Sequence, residues 1–161
     1  MATKEFVDYV KKKVLEYLPY KDRELFPVVM GIIETESDFN PYAARYEPNF
    51  RWLVSPERYY RKYSSSPETE VVLQKTSLGL MQVMGANYRT MGYTGPLTAL
   101  FEDVDSQLKY GIRFFLNLYE KYGNVEDAVA AYNAGSPRKK NGRYVNQAYV
   151  DRVLKNAEKW R

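Results

Sequence analysis

Apolar positions along this chain recur mainly at helical spacing. Phe6, Val10, Val14, Tyr17 and Leu18 fall on one stripe, which predicts an amphipathic helix over residues 4–18. A second helix is expected to start near Pro27, run through the apolar VVMGII segment and stop around Ser37, ahead of the Asn40-Pro41 turn. The clearest pattern lies at 104–122, where Val104, Leu108, Ile112, Phe115, Tyr119 and Tyr122 make a single stripe. Asp103 can cap its start and Gly123 its end. Asn124, with Asp127 three residues on, opens the alanine-rich VEDAVAAYNA helix, which Gly135 and Pro137 close. The last helix is predicted at about 146–159, with Val150, Val153, Leu154 and Ala157 inward.

Between the second helix and residue 104 the pattern is more broken. Ser55-Pro56-Glu57 and Ser66-Pro67-Glu68 each place a hydroxyl, a first-turn proline and an acid where a helix would begin, so residues 50–76 read as an inserted helical pair. Glu68 and Glu70 are taken as helix-start charges. The stretch from Ser77 to Pro96 is punctuated by glycines and is expected to mix a tight turn with a short helix. VVLQ at 71–74 is the one segment with a strand-like pattern. No internal repeat or linker divides the chain. The fold class is therefore mainly α, in a single domain over 1–161.

Composition narrows the chemistry. The chain has no histidine and no cysteine. That excludes a thiolate nucleophile, a Ser–His–Asp relay, a disulfide framework and an ordinary zinc site. Carboxylates, tyrosines, lysines, amides and hydroxyls remain, and no cofactor or metal is expected. Tyrosine supplies 16 residues, and its apolar face with a polar tip suits a groove for sugar rings as well as half-buried helix packing. The net charge of +4 favours anionic polymers. Arg138-Lys139-Lys140 with Arg143 is too short for a nucleic-acid arm and reads as a solvated loop, so no nucleic-acid partner is expected. The first twenty residues lack the continuous apolar core of a secretion signal, and no stretch is long and apolar enough for stable membrane insertion.

Glu36 ends an apolar helix, where flanking apolar surface disfavours the ionised carboxyl and lets it hold a proton for donation. Glu34, two residues earlier, lies about 200° away around the helix and cannot share its face. Spacing alone does not choose between them. Three ordered motifs do. Glu36-Ser37-Asp38-Phe39-Asn40-Pro41-Tyr42-Ala43, Gly79-Leu80-Met81-Gln82 and Ala131-Tyr132-Asn133-Ala134-Gly135 resemble, in order, the E-S-x-F-N-P-x-A, G-L-M-Q and A-Y-N-A-G motifs of the lytic transglycosylase family, which includes soluble lytic transglycosylases and goose-type lysozymes. Tyr149-Val150, ahead of Val153, resembles the family's closing tyrosine segment. The likeness spans about residues 25–157 and leaves the N-terminal helix (1–24) outside.

The resemblance implies a lysozyme-like domain that cuts peptidoglycan glycan strands at the MurNAc-GlcNAc β-1,4 bond. It makes Glu36 the catalytic acid/base and puts Ser37 near the sugar at the cleavage point. It lines the cleft with Gln82 and the Met81 main chain, sets Asn133 against an N-acetyl or hydroxyl group, and has Tyr132 and Tyr149 hold the carboxyl and substrate in register. By their residue types, Gly79 and Gly135 are backbone devices and Met81 fits the core. Goose-type lysozymes carry acids just before the G-L-M-Q turn, whereas this chain has Gln74-Lys75-Thr76-Ser77-Leu78. Glu47 is the remaining candidate for a second carboxylate. One acid fits a non-hydrolytic route to a 1,6-anhydro product, with a hydrolytic muramidase using Glu47 as the alternative. A glycan-binding module without turnover is the alternative of another class. The expected setting is a monomeric phage-type endolysin, made in the cytoplasm and released to the wall by separate machinery such as a holin.

Overall fold

The helical periodicities are realised almost as spaced in the computed structural model, which describes residues 2–63 and 66–161. Helix α1 (Lys4–Tyr17) is capped by Thr3, whose hydroxyl accepts from the Phe6 amide, and it buries Val10 and Val14. A 3-10 turn at Tyr20–Leu25 leads into α2 (Phe26–Ser37), the most apolar helix of the chain, with Phe26 and Val28 to Ile33 all buried. Helix α6 (Val104–Tyr122) is capped by Asp103 and ended by Gly123 at φ 79°, and α7 (Val125–Ala134) by Asn124 and by Gly135 at φ 86°. Helix α8 (Gln147–Ala157) packs Val150, Val153 and Ala157 inward and runs into a last 3-10 turn. The core is continuous through α1, α2, α6, α7 and α8. Among the described residues no helix is long and apolar enough to cross a membrane.

Helices α2 and α8 share the most extensive contact among the described elements, and Gly31 permits their close approach. A Cβ at Gly31 would lie 2.6 Å from the Val153 carbonyl oxygen and 3.0 Å from the Ala157 amide nitrogen. No side chain fits between these two backbones. Thr35 and Asn156 hydrogen-bond across the same seam at 3.0 Å.

The inserted pair is present as α3 (Pro56–Tyr63) and α4 (Pro67–Gln74), with Ser66 capping α4 through the Thr69 amide; Ser64 and Ser65 lie outside the described residues. Two expectations for this region fail. VVLQ is the last turn of α4, not a strand: Lys75 N–H bonds back to Val71 O, Gln74 is fully buried and Val72 is exposed. Four residues hold barely one helical turn, too few to separate a period of 2 from one of 3.6, and the Ser66-Pro67 start decides for helix. Glu70 is not a solvated helix-start charge; it is 2% exposed and ion-paired at 2.7 Å to Arg89, itself 2% exposed, on α5 (Gly85–Thr90).

Strands do occur where no alternation flagged them. β1 (Ala44–Tyr46), β2 (Thr76–Leu78) and β3 (Val83–Met84) form an antiparallel sheet in the order β1-β2-β3, with Arg45 opposite Ser77 and Ser77 opposite Met84. Strands of two or three residues are too short to show a period. A second small hairpin pairs β4 (Lys139–Lys140) with β5 (Arg143–Tyr144), so the basic stretch is an exposed ribbon rather than an irregular loop.

Candidate active site

The site forms where the end of α2, the β2–β3 turn, α7 and α8 converge. Glu36 occupies the last turn of α2 and is half-buried. Asp38 and Phe39 follow with φ of 49° and 63°, two consecutive left-handed residues that break the helix at once. Asn40 then turns the chain toward β1, its side chain accepting from the Tyr42 amide at 2.9 Å.

Tyr149 of α8 donates its hydroxyl proton to Glu36 Oε2 at 2.7 Å, a contact between residues 113 apart in sequence. Burial pushes the Glu36 carboxyl above its ordinary value, while the Tyr149 hydrogen bond and the positive charge of Arg45 draw it part of the way back. The net direction is upward. Glu34, on the other face of α2, is ion-paired with Lys159. The two acids are thus separated in role by helix geometry, one to each side.

The β2–β3 turn is pinned from several directions. Gly79 takes φ 83°, and a Cβ there would meet the Gln107 side chain at 2.3 Å. Gln107, buried in α6, accepts from the Leu80 amide at 2.8 Å and donates to Leu100 O at 2.7 Å and Pro41 O at 3.0 Å. One amide therefore ties the turn to the segment after Glu36. The Ser37 hydroxyl lies 2.8 Å from Leu80 O and 3.1 Å from Ile33 O, so it too links the end of α2 to this turn. Gln82, at φ 52°, donates to Ala43 O and Gly79 O at 2.9 and 2.8 Å and keeps its Oε1 without a partner among the described residues. Met81 is fully buried, and its carbonyl accepts from Tyr132 at 2.5 Å.

Tyr132 packs its ring against Phe114 and Phe115, with centroids 5.3 and 6.3 Å away. Burial and the nearby Glu36 charge raise its hydroxyl well above the ordinary tyrosine range, and the same causes act on Tyr149. Both stay protonated and serve as donors. Asn133, next along α7, is exposed and accepts from Asn146 at 2.9 Å, which leaves its amide NH2 toward solvent. Glu47 is bound to Arg45 at 3.0 Å. A cavity of about 740 Å³ is lined by Phe6, Phe39, Tyr42, Phe101 and Glu102 among others, without Glu36.

Of the residues expected from the motifs, Tyr149 touches the Glu36 carboxyl, Tyr132 feels its charge and holds Met81, Ser37 links the end of α2 to the turn that carries Met81 and Gln82, and Asn133 is tied instead to Asn146. Arg45 and Gln107 belong to the same neighbourhood and were not singled out by sequence. Gln107 had left a signal, an amide at an inward position (104, 107, 108, 111, 112, 115) of the best-patterned helix. Arg45 left none, because a three-residue strand gives no facing pattern.

Among the described residues no group of acids could hold a metal ion. Comparison with curated proteins and with solved structures finds no match. The Transglycosylase SLT domain family matches residues 20–152, five-sixths of the chain and all three motifs. By that match the chain belongs to the lytic transglycosylases, enzymes that cleave peptidoglycan.

Proposed function

We propose that Glu36 is the single acid/base of a reaction that cleaves the MurNAc-GlcNAc β-1,4 bond and closes a 1,6-anhydro ring. The observation that carries this reading is the half-buried Glu36 carboxyl, raised by burial and held by Tyr149 at 2.7 Å. A neutral carboxyl donates its proton to the glycosidic oxygen as the C1–O bond breaks. The neighbouring acetamido oxygen of the substrate shares the positive charge left at C1. The Glu36 carboxylate then takes the proton of the muramoyl 6-hydroxyl as that oxygen bonds to C1. The proton lost in the first step is regained in the second, and no water is consumed.

Tyr149 fits both halves of the cycle, because its hydroxyl donates to the ionised carboxylate and steadies it between steps. Tyr132 fixes the Met81 carbonyl and so the floor of the turn that carries Gln82. Gln82 Oε1 and the Asn133 NH2 are an acceptor and a donor left for sugar hydroxyl or N-acetyl groups. A hydrolytic alternative needs a second carboxylate to activate water. Glu47 is the candidate, and it is held in an exposed ion pair with Arg45.

Two experiments test the reading. Glu36→Gln is nearly isosteric and is expected to lower peptidoglycan lysis by roughly two to four orders of magnitude while glycan binding persists. Undiminished lysis by this variant would remove Glu36 from the mechanism. Mass spectrometry of wild-type digests is expected to find anhydro-muramoyl ends; products that all carry the mass of an added water would establish hydrolysis instead.

A further inference from the structure

The segment between β1 and α3, which leads into the inserted helical pair, carries the more exposed of the two tryptophans. Trp52 is 75% exposed. It makes no hydrogen bond or aromatic contact among the described residues, whereas Trp160, the other tryptophan, packs on Phe39 with ring centroids 5.9 Å apart. Indole is the largest apolar surface a side chain can leave in water, and its exposure here is a cost with no packing return.

The loop that displays it is not loose. It is clamped at its start, where the Glu47 amide donates to Lys75 O at 2.8 Å. It is clamped again at its end, where the Gln74 side chain accepts from Val54 N at 2.7 Å and donates to Val54 O at 2.8 Å. Gln74 is fully buried and also donates to Glu70 at 2.8 Å. Glu70 in turn takes a two-pronged ion pair from Arg89, at 2.7 and 2.9 Å. Arg89 Nη1 donates to Tyr93 O and Gly95 O, and the guanidinium stacks 4.2 Å from the centre of the Tyr59 ring on α3. A buried network running Arg89–Glu70–Gln74–Val54 thus fixes an exposed loop from beneath. Burying an ion pair seldom adds stability over an apolar core of the same shape; holding one geometry is the better account of it. The loop also starts two residues after Arg45, whose charge acts on Glu36.

We infer that Trp52 is a sugar-binding platform at the edge of the cleft, a pre-organised subsite of the inserted segment on which a hexosamine ring of the glycan strand stacks away from the scissile bond. This rests on the reading of Glu36 as the cleavage centre. The C–H face of a pyranose is apolar while its rim is polar, and it needs a flat, rigid apolar surface open to solvent at its edges. Trp52 on a clamped loop supplies that surface without further ordering on binding.

The chain has only two tryptophans, so fluorescence can isolate this one. In a Glu36→Gln, Trp160→Phe background, titration with soluble uncrosslinked glycan strands is expected to shift Trp52 emission to shorter wavelength with saturation. By calorimetry in the Glu36→Gln background, Trp52→Ala is expected to weaken the same strands about tenfold, with circular dichroism unchanged because the side chain is exposed. Saturable glycan binding with no change in Trp52 emission, or unaltered affinity in Trp52→Ala, overturns the proposal. So does a Trp52→Ala variant that binds glycan normally but sediments differently, because the platform then serves a second copy of the chain. Failure of the Glu36 reading shows separately, as product release by Glu36→Gln in the same samples.

Discussion

At the scale of single residues, Glu36 is governed by three opposing influences of different origin. Burial favours its neutral form; Tyr149 and Arg45 favour the charged one. In the proposed reaction Glu36 must be protonated when substrate binds, so activity should fall as pH rises through its pKa. Removing either stabiliser of the anion moves that limb upward. Tyr149→Phe and Arg45→Gln are each expected to shift the alkaline limb of kcat/KM to higher pH, with Tyr149→Phe also slowing turnover because the carboxylate loses its donor. An unmoved limb in both would show that some other group sets it. The same shift bears on stability. A carboxyl whose folded pKa lies above its unfolded value binds more protons when folded, so stability declines as pH rises from about the ordinary value of 4.5 to the raised one, and stays lower above it. Glu36→Gln should therefore match the wild type in Tm at acid pH and exceed it near neutrality. Equal Tm at both pH values would contradict a raised Glu36.

At the scale of elements, the site is organised by parts that never touch substrate. Gln107 joins the β2–β3 turn to the segment after Glu36, and the Arg89–Glu70 pair fixes the insert. Breaking that pair leaves a buried charge alone, so Arg89→Met is expected to destabilise by about 3–5 kcal/mol, measurable by denaturant unfolding. The double change Glu70→Leu with Arg89→Met should recover much of the loss, because no charge is then left unpaired. Gly111 gives a second case. A Cβ there would sit 2.4 Å from the Met81 sulfur and 2.8 Å from its Cβ, so Gly111→Ala pushes on the residue whose carbonyl anchors Tyr132.

These elements show where sequence was informative. The main helices were legible because their 10 to 19 residues hold several periods, and caps such as Asp103 and Asn124 marked their starts. The motifs placed Glu36, Tyr132 and Tyr149 together only through family likeness, since nothing local says that residues 113 apart will meet. The sheet and the Glu70–Arg89 pair were illegible because each is made by contacts between separate segments too short to carry a period of their own, whereas the β4–β5 ribbon is local: Asn141-Gly142, at φ 55° and 76°, joins its two-residue strands and was the signal that could have found it. Glu70 looked like any acid in a first helical turn, and only the packing of α5 beside α4 reveals its partner.

For the whole molecule, α1 lies ahead of the family match yet shares the core. It buries Val10 and Val14, with Leu18 just beyond its end, and Asp105 of α6 receives Tyr9 at 2.5 Å, Tyr17 at 3.0 Å and Lys13 at 3.4 Å from it. Burying the three aliphatic side chains contributes roughly 5–9 kcal/mol, comparable to the entire stability of a typical domain. A chain lacking residues 1–18 is therefore expected to show no cooperative thermal transition. A folded, active truncation would make α1 an accessory.

The missing side chain at Gly31 has a mechanical consequence. Helices α2 and α8 cross there, and each carries one half of the Glu36–Tyr149 contact farther along its length, about 7.5 Å away on α2 at the usual rise per residue. The crossing acts as a fulcrum and the two helices as arms. A methyl group wedged into it need not unfold anything to be felt at the arms' ends, where a misplacement of about 1 Å can cost a hundredfold in rate. Gly31→Ala should accordingly lose more in turnover than its fall in Tm would forecast, and selection for stability alone would overlook the position that sets the jaw.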